Sequence, residues 1–332
     1  MMIQRAILHI LDFYSDVSVF SEAEIDLSDE AAAGYISKQM EKLQNNPSGR
    51  RGGFSPDSEF LADLRKYRSE ELSFAEFSAQ TARILHRYLS LAGEERPVDV
   101  LFADFSEEDS RFVGFLLLNN DEAYMHRAVS GDGQVKAEIA RHHAILPKPS
   151  QKTDSYALIR LDSEEIFFAD RKRSIGGEDR FVLPELLLKC TSAVSGREAI
   201  KTLQEVAAAV AEKHGENSAV AVSKVKNFLI ENAEISGTLA PQRLVREVFG
   251  TSEEKQREFL QEIGEKEIPE SVPIPRKAAV SAGRKQKIRT DTGIEISVPA
   301  EYLENPDFIE FVNHPDGTLS IQLKNIGRIV NR

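Results

Sequence analysis

The stretch PVDVLFADFSEEDSRFVGFLLLNN, residues 97–120, decides the fold of the N-terminal half of the chain. It contains two runs rich in β-branched and aromatic residues, separated by an acidic segment that is typical of a turn. Parallel neighbouring strands need a connection of roughly a dozen residues or more, so this short link predicts an antiparallel pair. Segments of the same texture continue to residue 169, and residues 3–20 read as one or two further strands.

Helices are expected both before and after these strands in the sequence. Apolar residues recur at helical spacing after Ser28, over 57–67, over 73–92 and again through 184–264. The later helices form either a small bundle or a layer over the sheet. The sequence therefore predicts the α+β class, with a mainly antiparallel sheet, a helical middle-to-late region and a small C-terminal β-rich module.

Capping residues give the expected helix ends. Ser28 is the expected N-cap of the first helix, and Pro241 marks the start of a later one. Thr251 and Glu254 are spaced as a capping box, and Gly264 is placed as the C-cap of the same helix.

The C-terminal part begins with a segment in which helix formation is disfavoured. Prolines at 269, 273 and 275 predict an extended, partly stiff connector, which continues into the basic stretch that follows. Beyond it, alternating apolar residues on both sides of Asp316-Gly317 predict a β-hairpin. The expected divisions are an N-terminal α+β domain, a helical region, a connector and a β-hairpin module, at 1–183, 184–268, 269–286 and 287–332.

The composition is that of a globular protein in a reducing compartment. The chain has 332 residues, enough for two or three cores, and a formal net charge of -12. Its apolar runs are far shorter than the roughly 18 residues that span a bilayer, so no membrane segment is expected. The lone cysteine, Cys190, excludes an internal disulfide and reads as a buried, unreactive thiol.

No catalytic or metal-binding motif with a strong signature is found. His142 and His143 are neighbours in a predicted strand and point to opposite faces, so they cannot chelate one ion together. Asp316, Gln322 and Lys324 include the carboxylate and lysine used by metal-dependent nucleases, but the Asp and Lys lie at opposite ends of the expected hairpin. We therefore expect no catalysis and no cofactor.

Positive charge is concentrated in a few stretches of this acidic chain. The stretch RKAAVSAGRKQKIR, residues 276–289, carries six cations and no acid: Arg276, Lys277, Arg284, Lys285, Lys287 and Arg289. Such cations can follow the phosphates of a DNA duplex without reading its sequence. The stretch has no aromatic residue for stacking on single-stranded bases, which favours duplex contact. There are two alternatives for this basic stretch. It either docks on the acid-rich segment 253–270 of the same chain or is a linker whose charges keep it solvated.

A second basic cluster lies in the middle of the chain. Arg171, Lys172 and Arg173 precede Gly176 and Gly177, whose amides could approach a phosphate closely. Two acids follow these glycines at once, so a turn with salt bridges among its own charges is the alternative reading. A third and weaker cluster is the Arg-Arg pair at 50–51.

Three stretches of the chain together resemble a known family. They are QRAILHILD at 4–12, DRKRSIGGEDRFVLPELLLKC at 170–190, and the segment 287–326, which begins KIRTDTGIEISVPAEYL. In their order and over nearly the whole chain they are similar to the bacterial nucleoid-associated proteins of the NdpA type. The resemblance implies a cytoplasmic bacterial protein at the nucleoid that binds DNA or DNA-managing proteins, and it implies no established reaction.

Two functions follow from the residues and the resemblance. The first is a protein, expected to be a homodimer, that binds DNA non-specifically through its basic patches and has an architectural or regulatory role on the bacterial chromosome. The second is a protein–protein adaptor recruited by DNA-bound nucleoid proteins, which the acidic composition favours. A metal-dependent nuclease is the third hypothesis. The candidate DNA contacts are the six cations of 276–289 together with Arg171, Lys172 and Arg173.

Overall fold

The computed structural model describes residues 1–131, 134–266, 268–274, 276–283, 285–303, 305–314 and 318–328. Contacts divide the chain into two compact units. The N-terminal unit is Met1–Asn45 with Gly49–Ala193, and the C-terminal unit is Asn46–Ser48 with Val194–Arg332. The finer division of the chain into four parts stays a prediction.

An antiparallel sheet organises the N-terminal unit. The described strands of this unit are β1 Met2–Asp12, β2 Val17–Val19, β3 Arg50–Gly52, β4 Pro97–Glu107, β5 Ser110–Asn119, β6 Asp121–Gly131, β7 Gln134–Ile145, β8 Tyr156–Arg160, β9 Ile166–Ala169, β10 Lys172–Ile175 and β11 Glu178–Phe181. Seven of them form one sheet in the order β2-β1-β4-β5-β8-β9-β3, and each neighbouring pair is antiparallel. The predicted α+β class and mainly antiparallel sheet are confirmed.

Helices of this unit pack on the sheet. They are α1 Glu30–Gln44, α2 Glu59–Arg68 and α3 Phe74–Leu91, with a π-helical turn at Val182–Leu187. The carboxylate of Asp29 caps α1 by accepting bonds from the amides of Ala31 and Ala32. The predicted N-cap at Ser28 is therefore wrong by one residue, because the Ser28 amide donates instead to the carboxylate of Asp26 in the preceding turn.

The central strands are buried on both faces, which explains their nearly continuous apolar sequence. On β4, Val100 and Phe102 belong to a core shared with α2 and α3. The alternate residues Leu101 and Phe105 belong to a second core shared with α1. Because successive strand residues point to opposite faces, covering both faces requires an apolar residue at nearly every position.

Two hairpins of the N-terminal unit lie outside this sheet. The β6–β7 hairpin is a long two-stranded ribbon, and residues 132 and 133 at its tip lie outside the described residues. The β10–β11 hairpin turns at Gly176 and Gly177, which have φ of 62° and 86°. Glycine adopts these values without a steric penalty, so this pair permits the tight turn.

The C-terminal unit is mainly helical. Its described helices are α4 Gly196–Lys213, α5 Ser218–Ile235, α6 Pro241–Phe249, α7 Glu253–Glu265 and α8 Arg276–Gly283, with a 3₁₀ turn at Ala300–Leu303. Leu203, Val225 and Phe259 belong to a core of their own, as the bundle alternative predicts. Among the described residues of this unit, six short strands form three antiparallel pairs: β12 Thr238–Leu239 with β13 Val272–Pro273, β14 Lys285–Arg289 with β15 Glu295–Pro299, and β16 Ile309–Asn313 with β17 Leu319–Leu323.

The observed helix ends test the predicted caps of this unit. Pro241 is the first residue of α6, as predicted. The capping box with Thr251 is wrong, because Ser252 is the N-cap of α7 and no side-chain bond caps it. The predicted C-cap at Gly264 is also wrong. The helix continues past this glycine to Glu265, and the Lys266 amide closes the last turn on Glu262.

The prediction of an extended connector is wrong for residues 276–283, because they form helix α8. Ala279 in this helix is buried in the core of the C-terminal unit. At Gly283 a Cβ would lie 2.4 Å from Cγ1 of Ile230 and 2.8 Å from the carbonyl oxygen of Lys226, so the backbone of α8 packs directly against α5. This packing stabilises a helix that would be too short to persist alone.

The predicted C-terminal hairpin is confirmed in its strands. Ile309 pairs with Leu323, and Phe311 pairs with Ile321, in an antiparallel register. The Asp316-Gly317 turn lies outside the described residues. The preceding β14–β15 pair is anchored to α5, since the side chain of Gln286 donates to the carbonyl of Ala219 at 3.4 Å.

Candidate nucleic-acid interface

Strand β14 places two of the predicted DNA contacts on an exposed face. Its residues alternate: Gln286 is buried and Ile288 is half-buried, whereas Lys287 and Arg289 are exposed. Across the pair, Lys287 lies opposite Ser297 and Arg289 opposite Glu295. We call this outward surface, with Lys287, Arg289, Ser297 and Glu295, the β14 face. No ion pair of Lys287 or Arg289 occurs among the described residues.

For the other four cations of residues 276–289, the structure describes the backbone of three and no part of the fourth. Arg276 and Lys277 lie in the first turn of α8, and Lys285 is the first residue of β14. The side chains of these three residues, and the whole of Arg284, lie outside the described part of the chain. Their predicted contact with DNA stays a prediction.

The structure places Arg173 in a buried network. Its guanidinium donates from Nη1 to the Asp170 carboxylate at 2.8 Å and from Nη2 to the Ser155 hydroxyl at 3.0 Å. The Arg173 side chain is 6% exposed and that of Asp170 is 1% exposed. A guanidinium held in this way inside the fold stabilises the structure and is not positioned to meet a phosphate at the surface.

Arg171 and Lys172 are exposed but already have contacts. Arg171 donates to the carboxylate of Glu94 at 2.8 Å. The ammonium of Lys172 lies 5.7 Å from the centre of the Phe181 ring, which is a cation–π distance. Together with the Arg173 network, these contacts give the cluster a structural role. Arg171 pairs with Glu94 outside the hairpin, and only the Arg180–Glu178 pair among the described residues matches the expected salt bridges of the turn with its own charges.

The third cluster is similarly engaged. Arg51 forms an ion pair with Glu165. Arg50 donates from Nη1 to the hydroxyl of Ser192 at 3.2 Å. Both arginines are in β3, which pairs with β9 at the edge of the sheet. This cluster therefore contributes to the fold of the sheet edge.

Further exposed cations escaped the sequence analysis. Arg243 and Arg246 lie one turn apart on α6, and both are exposed. On α3, Arg83 and Arg87 are also one turn apart and exposed, and each guanidinium lies 5.0 Å from an aromatic ring centre. Their sequence signal is the spacing of arginines by three or four residues on amphipathic helices, which places both on one face. A search for consecutive basic residues does not detect this spacing.

The structure adds no support for metal or thiol chemistry. Among the described residues no group of three or more His, Cys, Asp or Glu side chains could hold a metal ion. Lys324, one of the residues considered for a nuclease, forms an ion pair with Glu310, and Asp316 lies outside the described residues. Burial raises the pKa of the Cys190 thiol to about 12, so the reactive thiolate is scarce at neutral pH.

Two buried polar clusters of the N-terminal unit are structural. Arg111 donates from Nε to the buried carboxylate of Asp104 at 2.9 Å, and the hydroxyl of Tyr67 donates to the same carboxylate. Burial, with this bond, raises the pKa of Tyr67. His9 is fully buried, accepts the amide of Ser21 at Nδ1, and has its pKa lowered to about 4 by burial.

The described residues therefore form an acidic α+β chain with exposed cations on small local surfaces. A family model described as nucleoid-associated protein YejK matches residues 7–330, and the chain belongs to this family. The resemblance predicted from the sequence is therefore confirmed. No curated protein matches the chain. Within the described residues, no helix is both long and apolar enough to cross a membrane.

Proposed function

We propose that this protein binds duplex DNA non-specifically at the nucleoid of the bacterial cytoplasm and has an architectural or regulatory role on the chromosome. Membership of the nucleoid-associated family supports a nucleoid role. The observation that carries direct DNA contact is the exposure of Lys287 and Arg289 on the β14 face. The homodimer expected from the sequence is part of the same proposal.

The β14 face suits contact with a phosphate backbone. Residues two apart on a strand lie about 6.6 Å from each other, so Lys287 and Arg289 form a short row of positive charge. The strand holds them on the same side, which reduces the entropy lost when they bind. Glu295 lies opposite Arg289 and weakens the attraction at that end, so we expect a modest contribution from this face alone.

Additional contacts come from other exposed cations. Arg243 and Arg246 on α6 belong to the same unit as the β14 face. Lys172 and Arg171 remain candidates because their side chains are accessible, although each would have to exchange an existing contact. Each phosphate contact adds about 0.9 to the slope of log affinity against log salt, so several weak contacts give strongly salt-dependent binding.

The adaptor function is the second candidate, and the charge of the chain favours it. A formal net charge of -12 repels DNA at long range. Many of the arginines and lysines also have acidic partners within the chain, as Arg171 has Glu94 and Lys213 has Glu258. An adaptor would reach the nucleoid through a DNA-bound protein. The proposal assigns no catalytic step in either case, and a plasmid-nicking assay with divalent metal tests that.

The direct test is binding of the purified protein to a short labelled duplex, followed by fluorescence anisotropy at about 50 to 200 mM salt. The test variant is Lys287→Glu/Arg289→Glu. The matched control is Lys201→Glu/Lys213→Glu on α4, where both lysines already pair with acids, Glu205 and Glu258. Both double variants change the net charge by the same amount.

The proposal predicts that the wild-type protein and the α4 control bind with similar salt dependence, while the β14 variant binds more weakly. If the purified protein does not bind at the lowest salt but still co-purifies with nucleoid material after nuclease treatment, the adaptor function replaces direct contact. If both double variants lose affinity equally, the effect is one of net charge and the β14 face is not the contact.

A further inference from the structure

The β6–β7 ribbon exposes an apolar face. From the register, one face carries Tyr124, His126, Ala128, Ser130, Val135, Ala137, Ile139 and Arg141. We call it the Tyr124 face. Tyr124 is 75% exposed, Val135 75% and Ile139 81%. Such exposure of three large apolar side chains on one surface marks an interaction site, whereas single exposed apolar residues do not.

The three cations of this ribbon pair with acids of the ribbon itself. Arg127 and Lys136 both pair with Glu138, and Arg141 pairs with Glu122. Over residues 121–145 the sequence has these three cations and four acids, the other two acids being Asp121 and Asp132, so the formal charge of the ribbon is -1. The ribbon therefore has no excess of positive charge, and each of its cations would have to exchange an acidic partner to contact a polyanion.

A two-stranded ribbon needs a partner for independent stability. An isolated hairpin is at best marginally stable in water, and three strands or a packed face are usually required. Among the described strands, β6 and β7 pair with each other and with no third strand. A formal charge of -1 on each ribbon opposes the approach of a second copy only weakly, and an apolar face gains free energy when it is covered.

We propose that the Tyr124 face is a homodimer interface, on which the ribbon of a second copy of this chain stacks face to face. The occupant is assigned from the small formal charge of the ribbon, from the acidic partners that its three cations already have, and from the match of large to small residues described next. It extends the proposed function by placing the dimer contact on β6 and β7, and it does not depend on DNA contact.

The face is complementary to itself when the two ribbons run in opposite directions. The two-fold axis lies between the two stacked faces, runs perpendicular to the strands, and passes the level of the Arg127 and Glu138 pair. It stacks β6 on β6 of the second copy and β7 on β7 of the second copy. The cross-strand pair of Tyr124 and Arg141 in one copy then lies over the pair of Ser130 and Val135 in the other copy. The pair that contains Ile139 likewise lies over the pair that contains Ala128 in the other copy. Large side chains of one copy therefore meet smaller ones of the other, as close packing requires.

The size of the face predicts a dimer that dissociates on dilution. A ribbon of eleven residues is about 35 Å long and about 10 Å wide, which gives an area of roughly 350 Å² on each copy. Stable interfaces bury about 800 Å² on each partner. The ribbon contact is therefore expected to populate dimers at micromolar or higher concentration and to release monomers below it.

Sedimentation equilibrium of the full chain without DNA, over a range of concentrations, tests this interface. The variant Ile139→Lys places a charge on the Tyr124 face, and Met125→Lys places the same charge on the opposite face, where Met125 is 49% exposed. We expect wild type and Met125→Lys to form dimers with similar dissociation constants. Ile139→Lys should raise the dissociation constant at least tenfold. Thermal unfolding confirms that both variants are folded.

Crosslinking provides a second measurement that does not rely on destabilising a face. His126→Cys/Ala128→Cys places thiols that face each other across the axis, within reach of a crosslinker of about 10 Å, the spacing of stacked sheets. Arg127→Cys/Val129→Cys has the same spacing on the opposite face. The interface predicts covalent dimers of the first pair and few of the second.

Three results would overturn the interface. They are a wild-type protein that stays monomeric at every concentration, equal dissociation of the two lysine variants, and equal crosslinking of the two cysteine pairs. None of these results bears on DNA binding. Loss of the interface and loss of the proposed DNA contact are therefore distinguishable.

Discussion

Replacement of Arg173 by alanine is predicted to destabilise the N-terminal unit strongly, although this residue belongs to a basic cluster that reads as a DNA contact. In the wild-type fold the buried carboxylate of Asp170 accepts bonds from Arg173 Nη1 at 2.8 Å, the Ser155 hydroxyl at 2.6 Å and the Leu183 amide at 2.7 Å. The substitution removes the positive charge and leaves the carboxylate buried.

The expected loss is about 3 kcal/mol. Removing one partner of a buried ion pair costs about 3 to 5 kcal/mol, because the remaining charge is uncompensated. Asp170 keeps the bonds from Ser155 and Leu183 and one from the Arg171 amide, which places the expected cost at the lower end of that range. Lys172→Ala is the matched control, since it removes an exposed ammonium and a cation–π contact worth less than about 1 kcal/mol.

Urea unfolding followed by far-ultraviolet circular dichroism measures both variants, and it suits a chain that has no tryptophan. The double variant Arg173→Ala/Asp170→Asn should be more stable than Arg173→Ala alone, because it leaves no buried charge. The reasoning is refuted if Arg173→Ala costs less than about 1 kcal/mol, or if it costs no more than Lys172→Ala.

Three further predictions concern packing and protonation. Gly283→Ala should cost about 1 to 3 kcal/mol by urea unfolding, because its Cβ would collide with Ile230 on α5, whereas Gly264→Ala, with open space around it, should be neutral or slightly stabilising; equal effects would contradict the packing of α8. Burial lowers the pKa of His9 to about 4, so its contribution to stability is complete above about pH 6.5 and is lost as the pH falls toward 4. About 2 kcal/mol should disappear between pH 7.5 and 5, and a His9→Gln variant should show a flatter dependence; the same dependence in both proteins would contradict the lowered pKa. Cys190 is half-buried, not fully buried as expected from the sequence, and burial raises its pKa to about 12; a thiol reagent at pH 7.5 should therefore label the native protein much more slowly than the unfolded protein, and equal rates would contradict the raised pKa.

The sheet was predictable from the sequence because its signal is local. The β4 and β5 runs are apolar and β-branched over ten or so residues, and the link between them is too short for a parallel crossover. Helix α8 was not predictable in this way. The prolines at 269, 273 and 275 all precede Arg276, so they do not prevent a helix from starting there. The helix is stabilised by the contact of Gly283 with α5, which depends on tertiary packing.

The candidate site was predictable in part. The cations of 276–289 could be located from charge alone, and the alternation of β14 then determines that Lys287 and Arg289 face outward. The burial of Arg173 could not be inferred, because its partner Ser155 is 18 residues away and meets it only in the folded sheet. Charge in a sequence therefore locates candidate contacts, while the fold decides which of them reach the surface.

The central claim is that exposed cations of the β14 face contact DNA phosphates, and the salt slope of binding tests it most directly. If Lys287 and Arg289 each meet one phosphate, Lys287→Glu/Arg289→Glu should reduce the slope of log affinity against log salt by about 1.8. The Lys201→Glu/Lys213→Glu control should leave the slope unchanged. An unchanged slope in the β14 variant would contradict the claim.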